Sequence, residues 1–448
     1  MILSYLYNII KFKKCSLILM IGLFILYVNI NININLSIER LCELHKCPAC
    51  YGISECNYIK NINITLDDIF SLINYLFGVK NVFMGKYFET KVVLKKLAHT
   101  SELKAFDEML CENKNLQFLC KNDLKINNHS SQIDFYELVK RKLISSFTQD
   151  DNSLLRLCPS DRNIDILFHN LYVKNKELES NIFYINLWTL VMINPEPLLL
   201  QILPESKGWP VPKYLGSCGR IIVEEYVGLP IVTYYDAPWI YRAKIISSLL
   251  NAAYMFTFKN KDFGFYLTDI SIDNIAINSD GIAKFIDLEN IIVVDKNILD
   301  KDKSATWYKI QENTIDINCL NCFPFSSIDI CNHQLSDHNY YAICRILLSP
   351  KTSDTLIPGG FLHDIPNNIL QQYPDLEHLI KQCAVYDQLQ NRINKGQHLK
   401  LLLDTIIEKN NKIEVLHTYV YQIQNHDLFF AKGKLNQNPL IGFENVLL

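Results

Sequence analysis

Three residues late in the chain have the types and spacing of a metal-and-phosphate site: Asp269, Asn274 and Asp287. Asn274 follows Asp269 by five residues, and Asp287 follows Asn274 by thirteen. The segment LTDISIDNIAINSDGIAKFIDLENIIVVD (267–295) reads as loop, strand, NSDG turn, strand and loop. A hairpin of this kind sets Asn274 and Asp287 side by side at one edge. One amide oxygen and one carboxylate suit magnesium, a hard cation that takes few protein ligands and completes its shell with substrate phosphates. Asp269 then lies beside the metal, where it can accept a hydrogen bond from an attacking hydroxyl. The spacing is that of a kinase catalytic loop, D-x-x-x-x-N, followed by the metal-binding Asp of D-F-G.

Such a set needs a lysine strand, a hinge and supporting helices. NVFMGKYFETKVVLKKL (81–97) has the apolar, β-branched and aromatic content of a two-stranded hairpin. Within it VVLK places Lys95 like the lysine that holds the α- and β-phosphates of ATP. That lysine needs an acidic partner on the next helix, SELKAFDEMLCENK (101–114), for which Ser101 is a candidate N-cap. Glu102, Asp107 and Glu108 are available, and spacing favours Glu108. GWPVPKYLGSCGRIIVEEYVG (208–228) reads as two strands joined by a Gly216–Gly219 turn. Glu225 to Val227 would form the hinge whose backbone meets the adenine edge. ITLDDIFSLINYLFG (64–78) and APWIYRAKIISSLLNAAYMFTF (237–258) carry helical spacing. SDHNYYAICRILL (336–348) reads as a helix whose leading Asp337 either braces the catalytic loop or caps the helix. Residues 115–190 hold several amphipathic stretches without a clear order, and the tail after 411 gives no signal.

The chain as a whole sets bounds. Its 448 residues leave room for one large bilobal unit or two domains. A net charge of −3 argues against nucleic acid as a partner. Lys11, Lys13 and Lys14 precede the apolar run CSLILMIGLFILYVNI, a signal peptide or signal anchor. No A-x-A-like cleavage site follows, which favours an anchor with everything after about residue 35 in a lumen. Thirteen of the 14 cysteines lie beyond that run and read as disulfides in an oxidising compartment, with one thiol left over. CPAC and CLNC, at Cys47–Cys50 and Cys319–Cys322, could instead form a split zinc site, but zinc pairs are seldom so far apart. Asn35, Asn63 and Asn128 sit in glycosylation sequons.

The blocks HKCPACYG, VKNVFMGKYFETKVVLKKL, NPEPLLLQILPESKGWPVPKYLGSCGR, YDAPW, LTDISIDNIAI, FIDLENIIVVDK and DHNYYAICRILL resemble the divergent protein kinase domain 2 family. This is the deleted-in-autism group, related to the FAM69 secretory-pathway kinases. The resemblance runs from about Cys47 to about residue 400. It implies an α+β, bilobal protein-kinase-like fold with a small β-rich N-lobe and a larger helical C-lobe, behind an N-terminal membrane anchor or signal peptide. The implied organisation is a cytoplasmic basic N-terminus (1–14), the anchor or signal (15–34), a lumenal Cys-rich segment (35–60), an N-lobe with helical insertions (61–228), a C-lobe (229–410) and a tail (411–448).

The implied function is phosphate transfer from ATP, with Mg²⁺ or Mn²⁺, to hydroxyls of lumenal or secreted proteins or glycans. The alternative is a pseudokinase acting as a secreted or Golgi-anchored binding module. In the first case Asp269 is catalytic. Lys95, Glu108, Glu225 and Val227 bind the nucleotide, and Asn274 and Asp287 bind the metal. Partners are a lumenal or secreted substrate or receptor and, through the anchor, a membrane of the Golgi or endoplasmic reticulum. Departures from ordinary kinases are visible: Gly85 is the only glycine between Asn81 and Lys95, and Leu267–Thr268 replaces H-R. D-F-G is D-L-E, and no A-P-E is present. Glu289 beside a triphosphate calls for an intervening cation.

Overall fold

The computed structural model describes residues 38–53, 55–65, 80–112, 155–169, 181–313, 325–348, 357–384 and 391–410, with residues 20, 22, 77, 137 and 171 besides. No helix among them is long and apolar enough to cross a membrane. The expected span at 15–34 lies outside them apart from Met20 and Gly22, as do the sequons at Asn35 and Asn128, the CLNC pair and the tail. The expected helix over 64–78 falls largely outside as well. Its first residues belong instead to a strand, because Ile64 is buried in an antiparallel pairing with Gly85.

The small lobe is built on one antiparallel sheet. Its strands are β1 (Asn63–Thr65), β2 (Asn81–Tyr87), β3 (Thr90–Lys96), β5 (Tyr214–Cys218) and β6 (Ile221–Glu225), in the order β1-β2-β3-β6-β5. The expected 81–97 hairpin is β2–β3. Alternation gives the sheet a buried outer face and a face on the cleft. Phe83, Val92, Leu94, Ile221 and Val223 pack outward against Ile38, Leu41, Ile59 and Ile62, while Val82, Met84, Val93 and Lys95 line a cleft on the other face.

The outer face is covered by the Cys-rich segment, which carries short helices α1 (Ile38–Cys42) and α2 (Cys56–Ile59). Cys56 is bonded to Cys218. Arg220, 1% exposed, pairs with Asp107 and donates to the Lys46 carbonyl at 2.7 Å. At Gly219, with φ +60°, a Cβ would lie 1.9 Å from the Cys42 carbonyl oxygen. The turn between the strands is therefore drawn against this segment, which belongs to the lobe's packing. Cys47 and Cys50 bond to each other. Cys42 is the free cysteine among the described residues, and burial pushes its thiol up to about 12.

Helix α3 (Thr100–Glu112) follows β3 and buries Leu103, Phe106 and Leu110. After β4 (Leu155–Cys158), helices α4 (Asn181–Met192) and α5 (Glu196–Ile202) return the chain to the sheet. The chain leaves the lobe through Tyr226, Val227 and Gly228 into the short strand β7 (Leu229–Pro230). Gly228 has φ +153°, and a Cβ there would sit 1.9 Å from the Ile277 carbonyl oxygen, so the crossing admits no side chain.

The larger lobe centres on α6 (Trp239–Tyr254), which buries Trp239, Ala243, Ile246 and Leu250 and runs on into a wider π turn. Strand β8 (Phe263–Leu267) pairs with β11 (Ile291–Asp295), and β9 (Ile275–Ile277) with β10 (Ala283–Phe285) and β7. Helices α7 (His338–Ala342) and α8 (Leu376–Ala384), with a helix over 392–410, complete it. Disulfides Cys158–Cys331 and Cys344–Cys383 close its layers. The architecture is α+β: a β-rich lobe above a larger, mostly helical one.

Candidate active site

The two lobes enclose a cavity of about 410 Å³, lined among others by Lys95, Glu196, Glu224, Tyr226, Asn274 and Asp287. Lys95 is 7% exposed. Its Nζ lies 2.7 Å from Glu196 Oε1 and 2.7 Å from Glu224 Oε1, and it also donates to the Ile286 carbonyl. Burial works against the ammonium charge, but the Glu196 and Glu224 carboxylates outweigh it and hold the Lys95 pKa above the ordinary lysine value. Burial pushes both carboxylates up, with Lys95 opposing and Asp287 adding to the shift. Two carboxyl groups share one cation, and the upward shift of both favours a proton held within the triad.

This corrects the expected partner. Glu108 is exposed on α3 and pairs with Lys104 one turn back, at 3.4 Å. The apolar face of α3, Leu103, Phe106 and Leu110, points into the core, and Glu108 lies on the opposite face. The other two candidates, Glu102 and Asp107, are also committed. Glu102 accepts the His99 N–H at 2.6 Å as the helix begins, and Asp107 pairs with Arg220. Glu196 enters from α5, 101 residues beyond Lys95. Asn194 fixes its backbone by accepting the Glu196 N–H at 2.9 Å. Glu224 arrives by sheet geometry: it faces Val93 across the β3–β6 ladder, which puts its side chain on the cleft face with Lys95. Its place one residue before Glu225 carried the signal, since adjacent strand residues point to opposite faces.

Below Lys95, the loop after β8 is set by backbone bonds. His338 Nε2 lies 2.8 Å from the Leu267 carbonyl, and Asn339 binds the Leu267 N–H and the Phe265 carbonyl. Thr268 donates to the Asn290 carbonyl. Asp269 follows, exposed at the cleft edge, its pKa raised by partial desolvation and by the Asp287 charge. Asn274 Nδ2 donates to the Asp269 carbonyl at 3.1 Å, and the Asn274 carbonyl accepts the Ile286 N–H at 2.9 Å. Asn274 Oδ1 therefore remains for a cation, next to the end of β10 that presents Asp287. Asp337 stands at the N-cap position of α7, one of the two roles the sequence offered for it, but not through its side chain. Its side chain makes no cap bond; it binds Asn313 and Arg392, and its neighbours His338 and Asn339 brace the catalytic strand.

At the hinge, Glu225, Tyr226 and Val227 line the cavity. The Glu225 N–H is spent on the Lys213 carbonyl and its carboxylate on Lys284, 2.9 Å away. Tyr226 and Val227 are the other hinge residues that line the cavity. Leu288 is fully buried in the core. Glu289 Oε2 accepts from Asn194 Nδ2 at 2.7 Å and from Lys80 Nζ at 2.5 Å. Lys80 is thus the cation that Glu289 required, and the sequence carried no local sign of it, 209 residues away. Gly85 is a packing residue: a Cβ there would come within 2.7 Å of both Ile62 and Leu94.

The donor set fits a hard cation with phosphate. Among the described residues no three acidic, His or Cys side chains could hold a metal by themselves. A metal at Asn274 and Asp287 would need further oxygens from a ligand, the usual habit of magnesium. The acidic walls supplied by Glu196, Glu224, Asp287 and Glu289 would repel a bare polyphosphate.

Residues 187–385 match a family model described as the protein-kinase domain of FAM69. The chain is 33% identical over 379 residues to Divergent protein kinase domain 2A of Xenopus tropicalis, covering 81% of this chain and 87% of that protein. The human protein of the same name is 32% identical over 394 residues, covering 84% and 89%. Human Divergent protein kinase domain 2B is 25% identical over 345 residues, covering 73% and 77%.

Proposed function

This chain belongs to the divergent protein kinase domain 2 family, and on that premise we propose that its cleft binds ATP with Mg²⁺ or Mn²⁺ and transfers phosphate to hydroxyls of lumenal or secreted proteins or glycans. The observation that carries this reading is the convergence of Lys95, Asn274 and Asp287 on one interlobe cavity, with Lys95 held charged and Asp269 on the adjoining loop, its carbonyl bonded to Asn274 Nδ2. Asn274 Oδ1 and Asp287 would hold the metal, which supplies neutralisation of phosphate charge. Lys95 positions the phosphates. Asp269 accepts the proton of the substrate hydroxyl as its oxygen bonds to the terminal phosphorus and the bond to ADP breaks. Its raised pKa makes it a better base than an ordinary carboxylate.

A second reading, a pseudokinase acting as a binding module, has its own support. Gly85 is committed to packing, and Glu289 stands where D-F-G has glycine.

The test is thermal unfolding of the purified full-length protein with ATP and Mg²⁺ or Mn²⁺. A ligand at 100 times its Kd stabilises by about 2.7 kcal/mol, so a clear upward shift is expected, abolished by Asp287→Ala. An unshifted midpoint, or an equal shift in the variant, sinks the enzyme reading. Intact-mass analysis after incubation then separates added phosphate from added AMP.

The same reading places the protein in the endoplasmic reticulum or Golgi, anchored through residues 15–34, with a lumenal or secreted substrate or receptor as partner. The support is the set of disulfides Cys47–Cys50, Cys56–Cys218, Cys158–Cys331 and Cys344–Cys383. Asn63 is exposed on β1, so a glycosidase-sensitive mass at that sequon is expected in cells of secretory origin. An unglycosylated, fully reduced protein recovered from cytosol contradicts the placement.

A further inference from the structure

Three lysines line the cavity: Lys80, Lys95 and Lys96. Two are spent. Lys95 is shared by two carboxylates and a carbonyl. Lys96, 8% exposed, donates to Thr100 Oγ1 at 2.9 Å. The loop from Asp269 to Asn274, DISIDN, contains no basic residue. Lys80 differs from the other two, its side chain being 42% exposed.

Its place in the chain is also distinctive. Lys80 is the residue before β2, at the end of the 66–80 connection from β1. The β1–β2 register pairs Thr65 with Met84, so this connection rejoins the sheet at the end where Lys95 and Lys96 face Val82 and Asn81. In kinases the glycine-rich loop covers the phosphates; here the only glycine of β2 and β3, Gly85, packs away from the cleft.

Among the described residues Lys80 is held by one side-chain contact, which can be given up. Its partner is Glu289 Oε2, and that oxygen keeps a second donor, Asn194 Nδ2, when Lys80 departs. Glu289 therefore stays hydrogen-bonded after the exchange, which limits the cost of releasing the lysine.

We propose that Lys80 is a second phosphate-binding cation of this cleft, beside Lys95: Glu289 parks it in the free protein, and it moves to the phosphate chain of a bound nucleotide. The inference rests on the nucleotide-binding reading above. It gives the D-L-E glutamate a purpose as the competitor that sets nucleotide affinity.

The experiment is titration calorimetry of the full-length protein with ATP, ADP and adenosine in Mg²⁺. Lys80→Gln is expected to weaken ATP and ADP roughly tenfold or more, as loss of a hydrogen bond to a charged group implies, and to leave adenosine unchanged. Glu289→Gln, which frees Lys80, is expected to tighten ATP several-fold. A merely structural bridge gives another pattern: both variants weaken all three ligands alike, and the exchange Lys80→Glu with Glu289→Lys restores them. That pattern, or an ATP affinity untouched by Lys80→Gln, overturns the proposal while the nucleotide reading stands. Absence of ATP binding by the unaltered protein overturns both.

Discussion

Lys95→Met is expected to abolish nucleotide binding and to destabilise the fold together, by about 3–5 kcal/mol, the usual cost of stranding a buried charge. Glu196 and Glu224 are each 2% exposed and have Lys95 as their shared cation. Without it, two carboxylates face each other in a dry cleft. The two consequences can be separated. Adding Glu196→Gln and Glu224→Gln removes the stranded charges and is expected to recover most of the stability but none of the ATP-dependent shift. The pH dependence has a definite sign. Burial already pushes Glu196 up to about 8, against the pull of Lys95, and removing the lysine raises it further. A group whose folded pKa is raised contributes its stability below the unfolded value, about 4.3 for Glu, and loses it as pH rises through the folded value. The single variant is thus closest to the parent near pH 4 and falls furthest behind above pH 8. Urea midpoints measured across that range check this; a deficit independent of pH, or no deficit, refutes the triad's role.

Asp337→Ala carries the second large effect, at a residue that does not line the cleft. Asp337 is fully buried, binds the backbone and side-chain amides of Asn313 at 2.9 Å each, and pairs with Arg392, itself 4% exposed. Arg392 also donates to the Cys383 and Asn313 carbonyls, so one carboxylate ties three separate segments. Its removal leaves a buried guanidinium without a countercharge, worth about 3–5 kcal/mol. Asp337→Asn keeps an acceptor for Asn313 but not the charge, and is expected to fall between parent and Ala variant. Equal denaturant midpoints for all three proteins would show that the pair is replaceable.

The order of the chemistry-bearing elements was legible from residue patterns because those patterns are local. Asp269, Asn274 and Asp287 lie within one strand–turn–strand unit, where period-two alternation and the NSDG turn dictate which ends meet. The β2–β3 hairpin and the long helix α6 followed for the same reason. Local rules also misled. Spacing from Lys95 pointed to Glu108 because a helix does follow β3, but the apolar stripe of α3 turns that residue to solvent. The 64–78 periodicity hid a strand at its start because pairing with β2, fifteen or more residues on, decides the state of Ile64 and Thr65.

What only tertiary structure decided are the partners brought together across long stretches of chain. Glu196 reaches Lys95 over 101 residues, Lys80 reaches Glu289 over 209, and Asp337 reaches Arg392 over 55. No periodicity encodes such pairs; they follow from which helix packs under which sheet. The sequence by itself determined a kinase-like residue set and the family. The fold decided how each charge in that set is balanced, because a buried charge is settled by whatever group the packing brings within about 3 Å, not by its neighbours in the chain.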